Sequence, residues 1–217
     1  MTPELKHYCS RWSADMDRIG GGQERISYFR RSLPELLLDK ACVGGIFEAM
    51  VKGGSWPDLR AAGLFDHEVL LYLDPGRRFS LRLFFHPAGE HTVIHDHSSW
   101  GVSGTPVGHL SVIGYAPAKK TNPGEARLTV IRRTVLSRGK TDLTLPFDDG
   151  IHQTGSPDDE PNAMISVYGP PGRRLYIRIF DPDSGRVEKR FPPKILRRSM
   201  ARQALSLLQN GWIKGEN

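Results

Sequence analysis

The sequence has few cysteines and no long apolar segment. Of its 217 residues only two are cysteine, Cys9 and Cys42, and no Cys-x-x-Cys pair occurs. A disulfide-rich framework is therefore excluded. No run approaches the roughly 18 apolar residues that a membrane-spanning helix needs, and the polar N-terminus lacks the apolar core of a secretory signal. We expect a soluble, cytoplasmic protein with no membrane partner.

Acidic residues are scarce only near the C-terminus. The chain carries 30 Lys and Arg against 24 Asp and Glu, a formal net charge of +6. Residues 186–217 contain eight basic and two acidic side chains, so this tail holds the whole excess and residues 1–185 are neutral. Three of the arginines, Arg197, Arg198 and Arg202, lie on a predicted helix with an apolar opposite side. A solvated helix face explains this charge, and a nucleic-acid partner is not expected because no nucleic-acid-binding motif is visible.

Glycine and proline, in contrast, are abundant. With 23 glycines and 16 prolines, they make up about 18% of the chain, against about 12% in typical proteins. Alternating or apolar runs between Gly- and Pro-bearing turns predict strands at 68–73, 79–86, 92–97, 110–115, 127–135, 141–145, 163–168 and 175–180. Short strands at such regular spacing predict an antiparallel sandwich or a small barrel.

Helices are predicted before and after these strands in the sequence. Residues 24–52 have helical spacing with a break, where Pro34 can open a second helix and Gly44-Gly45 interrupts or ends it. A further short helix is predicted at 56–63, and a last one, with Pro at its start, at 192–210. The predicted organisation is one structural domain with three parts, namely an N-terminal helical segment (1–64), a barrel (65–185) and a basic C-terminal helix (186–217).

Histidines form the most informative cluster in the sequence. His95-Asp96-His97 lies in an extended segment, where residues two apart project from the same face. The two imidazoles can therefore enter one pocket while Asp96 points away. Imidazole is a common ligand for iron, zinc, copper and nickel. His152, which stands before a turn, is the best candidate for a third ligand, and His86 is its rival. The alternative is that these are ordinary strand histidines.

Three motifs carry a family resemblance. TVIHDHSSWGVSG (92–104), followed by GIHQTGS (150–156) and ISVYG (165–169), resembles the thiol dioxygenase family of cupins. That family includes cysteine dioxygenase and bacterial enzymes acting on 3-mercaptopropionate, and the similarity covers roughly residues 65–185. It implies a mainly β cupin fold, which is a double-stranded β-helix or jelly-roll barrel. No carboxylate follows the histidine pair closely, as in the three-histidine subgroup of cupins.

The resemblance also implies a cofactor, partners and roles for residues. By this resemblance His95, His97 and His152 bind Fe(2+), and the open positions of the iron take a substrate thiolate and O2. Coordination would lower the pKa of the thiol, and both oxygen atoms would end on sulfur as a sulfinate. Tyr168 matches the catalytic tyrosine of the family, whose hydroxyl can hydrogen-bond bound oxygen or substrate. The implied partners are a small thiol and O2.

The sequence also departs from the family pattern. The family's Ser-x-His-x-Tyr relay is replaced by Met164-Ile165-Ser166-Val167-Tyr168, so the chain lacks both the serine and the histidine that deliver protons to the tyrosine. The carboxylate-binding Tyr-x-Arg corresponds to Asp66-His67-Glu68. A glutamate there would repel a carboxylate and favour an amine or another polar group. The cysteine that follows the histidine pair in animal enzymes is also absent.

Four further residues are candidates for binding substrate. Arg82 could supply the missing cation if its strand face turns inward, or it is a solvated strand residue. His86 could orient ligands or substrate, or it is a hydrogen-bonded structural histidine. Trp100 and Tyr72 could line the pocket, or they belong to the core. Apart from these four, Arg173-Arg174 lies in a Gly- and Pro-rich turn and is expected to be solvated, with capture of an acidic substrate at the pocket rim as the alternative.

Two other functions are compatible with these observations. One is a metal-dependent lyase or isomerase that uses its metal only as a Lewis acid. The other is a non-catalytic cupin that binds a small molecule, or a binding module that uses the basic tail. The sequence does not indicate an oligomeric state.

Overall fold

The computed structural model describes residues 1–53, 65, 67–118, 124–172, 174–192 and 198–206. Three helices, α1 (Pro3–Met16), α2 (Gly22–Leu38) and α3 (Lys40–Val51), precede the strands. Residues 198–206 are also helical, and each of them is exposed. Helices on both sides of the strands are thus confirmed, whereas the helix predicted at 56–63 lies outside the described residues. None of the described helices combines the length and the apolar character of a membrane span.

The described residues form eleven strands. They are β1 (Glu68–Leu73), β2 (Ser80–His86), β3 (Ile94–His95), β4 (Gly101–Val107), β5 (Leu110–Pro117), β6 (Leu128–Leu136), β7 (Thr141–Thr144), β8 (His152–Gly155), β9 (Asn162–Tyr168), β10 (Ile177–Phe180) and β11 (Val187–Arg190). A 3-10 helix, Phe147–Gly150, lies between β7 and β8.

The strands pair into two antiparallel sheets. The first sheet has the order β1-β2-β9-β4-β7 and the second has the order β11-β10-β3-β8-β5-β6. Eight of these strands have the order of an eight-stranded jelly roll, with β2-β9-β4-β7 in one sheet and β3-β8-β5-β6 in the other. The predicted fold class, a mainly β double-stranded β-helix with helices on both sides in sequence, is therefore confirmed.

The first sheet separates two apolar regions. In β2, Leu81 and Leu83 belong to a core shared with the helices, where Phe29 and Trp12 are also fully buried. Because neighbouring strand residues point to opposite faces, the alternate residues of β2 face the barrel interior. There Phe84 joins a second apolar cluster that contains Leu110, Val112, Leu136 and Met164, with Phe65 and Tyr168 packed against it.

The N-terminal helices differ from the prediction in three ways. Pro34 lies inside α2 instead of opening a helix, Gly44-Gly45 lies inside α3, and α1 was not predicted. The break falls at Asp39, whose carboxylate accepts hydrogen bonds from the backbone N–H groups of Ala41 and Cys42, at 3.0 Å each. Such a cap favours a helix start at this position. The predicted break was wrong because burial of the leucines around Pro34 outweighs the hydrogen bond that proline removes.

Strand β4 was not predicted, although it lies between β9 and β7 in the first sheet. Its sequence, Gly-Val-Ser-Gly-Thr-Pro-Val, contains the residue types that usually indicate a turn. The structure requires a small residue here, because a Cβ atom at Gly104 would lie 2.4 Å from the carbonyl oxygen of Lys140 and 2.6 Å from Leu37. Strands β8 and β11 were also not predicted.

Both cysteines are free and buried in the helical layer. Cys9 lies in α1 and Cys42 lies in α3. Burial raises the pKa of each thiol to about 12. The two side chains are therefore protonated packing residues at neutral pH.

We expect the helical layer to contribute strongly to stability through Phe29. This ring is fully buried against Trp12, Phe79 and Trp100. Phe29→Ala should lower the free energy of unfolding by about 3–5 kcal/mol because it removes buried contacts and leaves a cavity. Val51→Ala, at a position 89% exposed, should change it by less than about 0.5 kcal/mol. Denaturant titration would measure both, and equal effects would contradict the described packing.

Candidate metal centre

Two histidines of the second sheet and one from the segment directly after β3 converge in the barrel. His95 lies in β3 and pairs across the strands with His152 of β8, while His97 follows two residues after His95. The ring centres are 4.8–4.9 Å apart. The atoms that could bind a metal all lie within 4.8 Å of one another, and Nε2 of His97 is 3.0 Å from Nε2 of His152. The structure therefore brings together the three predicted ligands.

Hydrogen bonds fix the orientation of two of the rings. Nδ1 of His95 donates to the carbonyl oxygen of Val93 at 2.8 Å. Nδ1 of His152 is 3.1 Å from the hydroxyl oxygen of Thr144. In both rings the Nδ1 side is thus occupied, which leaves Nε2 for a metal ion. A partner on the outer nitrogen is the usual way in which proteins set the tautomer of a ligating histidine.

Burial keeps the three imidazoles neutral. Only 3% of His95, 8% of His97 and 6% of His152 is exposed. Burial lowers the pKa of His95 to about 4 and holds the pKa values of His97 and His152 well below the usual range. Repulsion between the rings adds to this effect for His97 and His152. Neutral imidazole is the form that binds iron, zinc, copper or nickel. The triad could therefore hold a metal ion.

Tyr168 lies against the triad, as predicted for a residue of the same site. Its ring stacks on His97 with centres 5.4 Å apart and an angle of 23°. Gly101 lies opposite in the sheet, and a Cβ atom there would come within 2.7 Å of the Tyr168 ring. Burial is the main cause that raises the pKa of Tyr168 to about 12. The phenol therefore keeps its proton at neutral pH and can donate a hydrogen bond.

Ser166 stands at the histidine position of the family's relay, and Ser103 of β4 lies beside it. The hydroxyl of Ser166 donates to that of Ser103 at 2.7 Å, and both residues are buried. Both hydroxyls act to lower the pKa of Tyr168, although burial outweighs them. Ser103 was missed in the sequence because β4 was not recognised as a strand. With β4 known, its spacing of two from Gly101 would place it on the face of Tyr168.

Arg82 faces the barrel interior, but it is engaged in an ion pair. Its guanidinium group contacts the carboxylate of Glu68, and its central carbon lies 5.9 Å from the centre of the Tyr168 ring. The side chain of Glu68 is only 3% exposed, and that of Arg82 is 33% exposed. The two residues that the sequence suggested for the substrate's polar group thus form a pair whose charges compensate each other.

The other three candidates for substrate binding make their contacts elsewhere. Tyr72 packs on Phe79, and its hydroxyl is 2.9 Å from that of Ser13. Trp100 packs on Phe29 in the helical core. The structure does not bring either residue to the triad.

His86 is buried in a separate hydrogen-bonding group. Its Nδ1 is 2.8 Å from the amide oxygen of Asn162, and its Nε2 is 3.2 Å from the hydroxyl of Thr154. Among the described residues the metal-ligand group contains His152 and not His86. Both ring nitrogens of His86 are already used, so it has a structural role at this position.

Asp96 and two arginines were not recognised as part of the site. Asp96 points away from the triad, as expected, and it is fully buried. Arg174 binds its carboxylate with two hydrogen bonds, at 2.7 and 2.6 Å, and Arg178 also binds it. The expectation that Arg174 is solvated was wrong, because its side chain is only 13% exposed and compensates a buried charge. No sequence signal marks this pair.

Comparisons with known proteins give distant structural likenesses. No protein-family model matches the sequence, and no curated protein is similar to it. A cupin 2 conserved barrel domain protein from Rhodopseudomonas palustris has a TM-score of 0.39 and 14% identity, over 54% of this chain and 67% of that one. A protein of the same description from Salinispora arenicola has a TM-score of 0.35 and 16% identity, over 47% and 73%. A DMSP lyase from Ruegeria pomeroyi has a TM-score of 0.35 and 11% identity, over 49% and 45%.

The fold assignment therefore depends on the chain's own strand order. That order is an eight-stranded jelly roll, and its interior carries a three-histidine group that could hold a metal ion.

We expect the triad to bind one divalent metal ion per chain. Each of the variants His95→Ala, His97→Ala and His152→Ala removes a ligand and should weaken metal binding by more than about 100-fold. This loss exceeds the 10–100-fold that is typical when only a hydrogen-bond partner of a ligand is removed. His86→Ala is the matched control. It should lower stability, because Asn162 and Thr154 lose their buried partner, but it should leave the metal affinity unchanged. Titration with Co²⁺ followed by visible absorption would measure the affinities. Retention of wild-type affinity in the triad variants would refute the site.

Proposed function

We propose that this protein is a mononuclear non-haem iron enzyme that oxidises a small thiol with O2 to a sulfinic acid. The reaction is balanced without a further reactant, since the S–H sulfur takes both atoms of O2. The observation that carries this proposal is the set of three buried, neutral imidazoles with a protonated tyrosine stacked on one of them. The resemblance of the three sequence motifs to thiol dioxygenases supports the same reaction.

The donor set suits ferrous iron. His95, His97 and His152 would hold the ion through Nε2, since Nδ1 of His95 and of His152 has another partner. When bound, the iron would supply the redox chemistry with O2 and would lower the pKa of the substrate thiol. Three neutral ligands leave coordination positions for small molecules. The protein itself then has to hold the substrate, exclude water and control one proton.

Tyr168 is the residue proposed to control the proton. Its hydroxyl stays protonated at neutral pH, because burial and the nearby carboxylate of Glu68 raise its pKa. It can therefore donate a hydrogen bond to substrate or oxygen beside His97. The Ser166 and Ser103 hydroxyls form the polar surroundings of this proton, in place of a histidine relay. Positioned donors of this kind stabilise charge that develops during a reaction.

Apolar side chains next to the triad favour the exclusion of water. The ring centres of Phe65 and His95 are 4.8 Å apart, and those of Phe84 and Tyr168 are 6.4 Å apart. Both rings belong to the apolar cluster of the barrel interior together with Met164. In such surroundings the hydrogen bonds of Tyr168 are stronger than they would be in water.

The ion pair between Glu68 and Arg82 bears on which thiol is accepted. A free arginine would attract a carboxylate, but here Glu68 already compensates Arg82. A thiol with a carboxylate would have to compete with Glu68, whereas an amine or a neutral polar group would not be repelled. We therefore propose a small thiol whose polar group is not a carboxylate alone.

A second function uses the same donor set. Three histidines with an open position are also a catalytic zinc arrangement, in which the ion acts as a Lewis acid without redox change. A metal-dependent lyase or isomerase is thus the alternative proposal. The identity of the metal that supports activity separates the two.

We expect the iron-loaded protein to consume O2 with at least one small thiol and to form the sulfinate. The panel should include cysteine, 3-mercaptopropionate, cysteamine and a neutral thiol, after iron loading without air. His152→Ala, treated identically, controls for free iron and should give no uptake above buffer. An oxygen electrode and mass spectrometry would follow the reaction. No uptake with any thiol at full iron occupancy would end the dioxygenase proposal, and activity with zinc would favour the alternative.

We expect Glu68→Gln to shift the preference towards thiols that carry a carboxylate. The change removes the competitor of Arg82, so KM for 3-mercaptopropionate should fall by about tenfold, which corresponds to about 1.4 kcal/mol. The KM for a neutral thiol should stay the same. Glu35→Gln breaks an ion pair with Arg11 on the helices and is the control. Steady-state kinetics would measure these values, and an unchanged ratio of the two KM values would show that the pair does not set specificity.

A further inference from the structure

The carboxylate between the two neighbouring histidines has an unusually complete set of donors. Asp96 is fully buried, and its two oxygens accept four hydrogen bonds. Two come from the guanidinium group of Arg174, at 2.7 and 2.6 Å. The other two come from the backbone N–H and Nε of Arg178, at 2.7 and 2.5 Å. Hydrogen bonds between charged groups with this bidentate geometry are strong and directional.

Besides binding Asp96, each arginine contacts a segment next to one of the triad histidines. Arg174 also donates to the carbonyl oxygen of His97 at 3.0 Å, and its guanidinium carbon lies 4.7 Å from the Phe147 ring centre. Arg178 also binds the carboxylate of Asp148. Phe147 and Asp148 belong to the 3-10 helix that ends at Gly150, two residues before His152. The backbone N–H of Phe147 donates to the same carbonyl of His97, at 2.9 Å.

The triad needs such an anchor for a physical reason. Two neutral imidazoles whose Nε2 atoms are 3.0 Å apart present lone pairs to one another unless a proton or a cation lies between them. In the tautomers that bind a metal both Nε2 atoms carry a free lone pair and repel each other, so the surrounding structure has to hold the two rings together until the ion binds. A planar guanidinium group that bridges a buried carboxylate and a backbone carbonyl can hold a fixed geometry.

We propose that Asp96 is a positioning residue for the metal centre. Through Arg174 and Arg178 it fixes His97 and the turn before His152, so that the three imidazoles are ready to bind the ion. It does so from the far side of the strand, without being a ligand itself. This inference rests on the proposed metal site.

The test compares Asp96→Asn with a matched variant elsewhere in the protein. Asp74 is also fully buried, and it accepts from Arg78 at 2.7 and 2.9 Å in the region of the helical layer. Co²⁺ is the probe, because its visible spectrum reports both affinity and ligand geometry. Asp96→Asn should weaken Co²⁺ binding by about 10–100-fold and change the spectrum. Asp74→Asn should lose stability yet keep the wild-type affinity and spectrum.

A second variant keeps the test valid if Asp96→Asn does not fold. Arg174→Lys preserves the positive charge beside Asp96 but cannot bind both carboxylate oxygens and the carbonyl of His97 at once. It should also weaken Co²⁺ binding and alter the spectrum.

Wild-type affinity and spectrum in the folded variants would overturn the inference, as would an equal loss of affinity in Asp74→Asn. If the wild-type protein itself does not bind Co²⁺, the metal site fails and the inference fails with it. If Co²⁺ binds but thiols are not oxidised, only the proposed reaction fails.

Discussion

The first sheet of the barrel is buried on both of its faces, and most of the structure follows from this constraint. One face packs against the helical layer, and the other forms a wall of the barrel interior. Successive residues of a strand point to opposite faces, so the residues of β2, β9 and β4 point alternately towards the helices and towards the barrel interior. Leu81 and Val167 pack in the helical core, whereas Arg82 and Tyr168 face the barrel interior.

This alternation separates stability from chemistry within the same strands. The face towards the helices carries the apolar residues of the helical core, and this core stabilises the fold. The opposite face can then accept polar groups, provided that each one is compensated. Glu68 is compensated by Arg82 and Ser166 by Ser103, and Asp96, directly after β3, is compensated by two arginines. Burial of charge is costly, and such pairing is the condition under which proteins tolerate it.

The sequence predicted four of the five strands of the first sheet, four of the six strands of the second, and the three histidines that converge, because these depend on local patterns. His95 and His97 follow the period of a strand, and His152 was identified from its position and from the family motif. Strand β4 could not be predicted, since the close approach of Lys140 and Leu37 demands glycine where propensity indicates a turn. Asp96 and Arg174 are 78 residues apart in sequence, so their pairing depends on tertiary structure. The same holds for Glu68 and Arg82, whose residue types are informative only once they are known to be adjacent.

The location of the two cysteines matters for the proposed metal chemistry. A thiolate is the form of cysteine that coordinates metals and reacts with oxidants. Cys9 and Cys42 are enclosed by the helices, and burial keeps both protonated. They lie in the core on the far side of the first sheet from the barrel interior. The protein's own sulfur is thereby separated from the triad, so neither thiol can act as a ligand to an ion held by the three histidines.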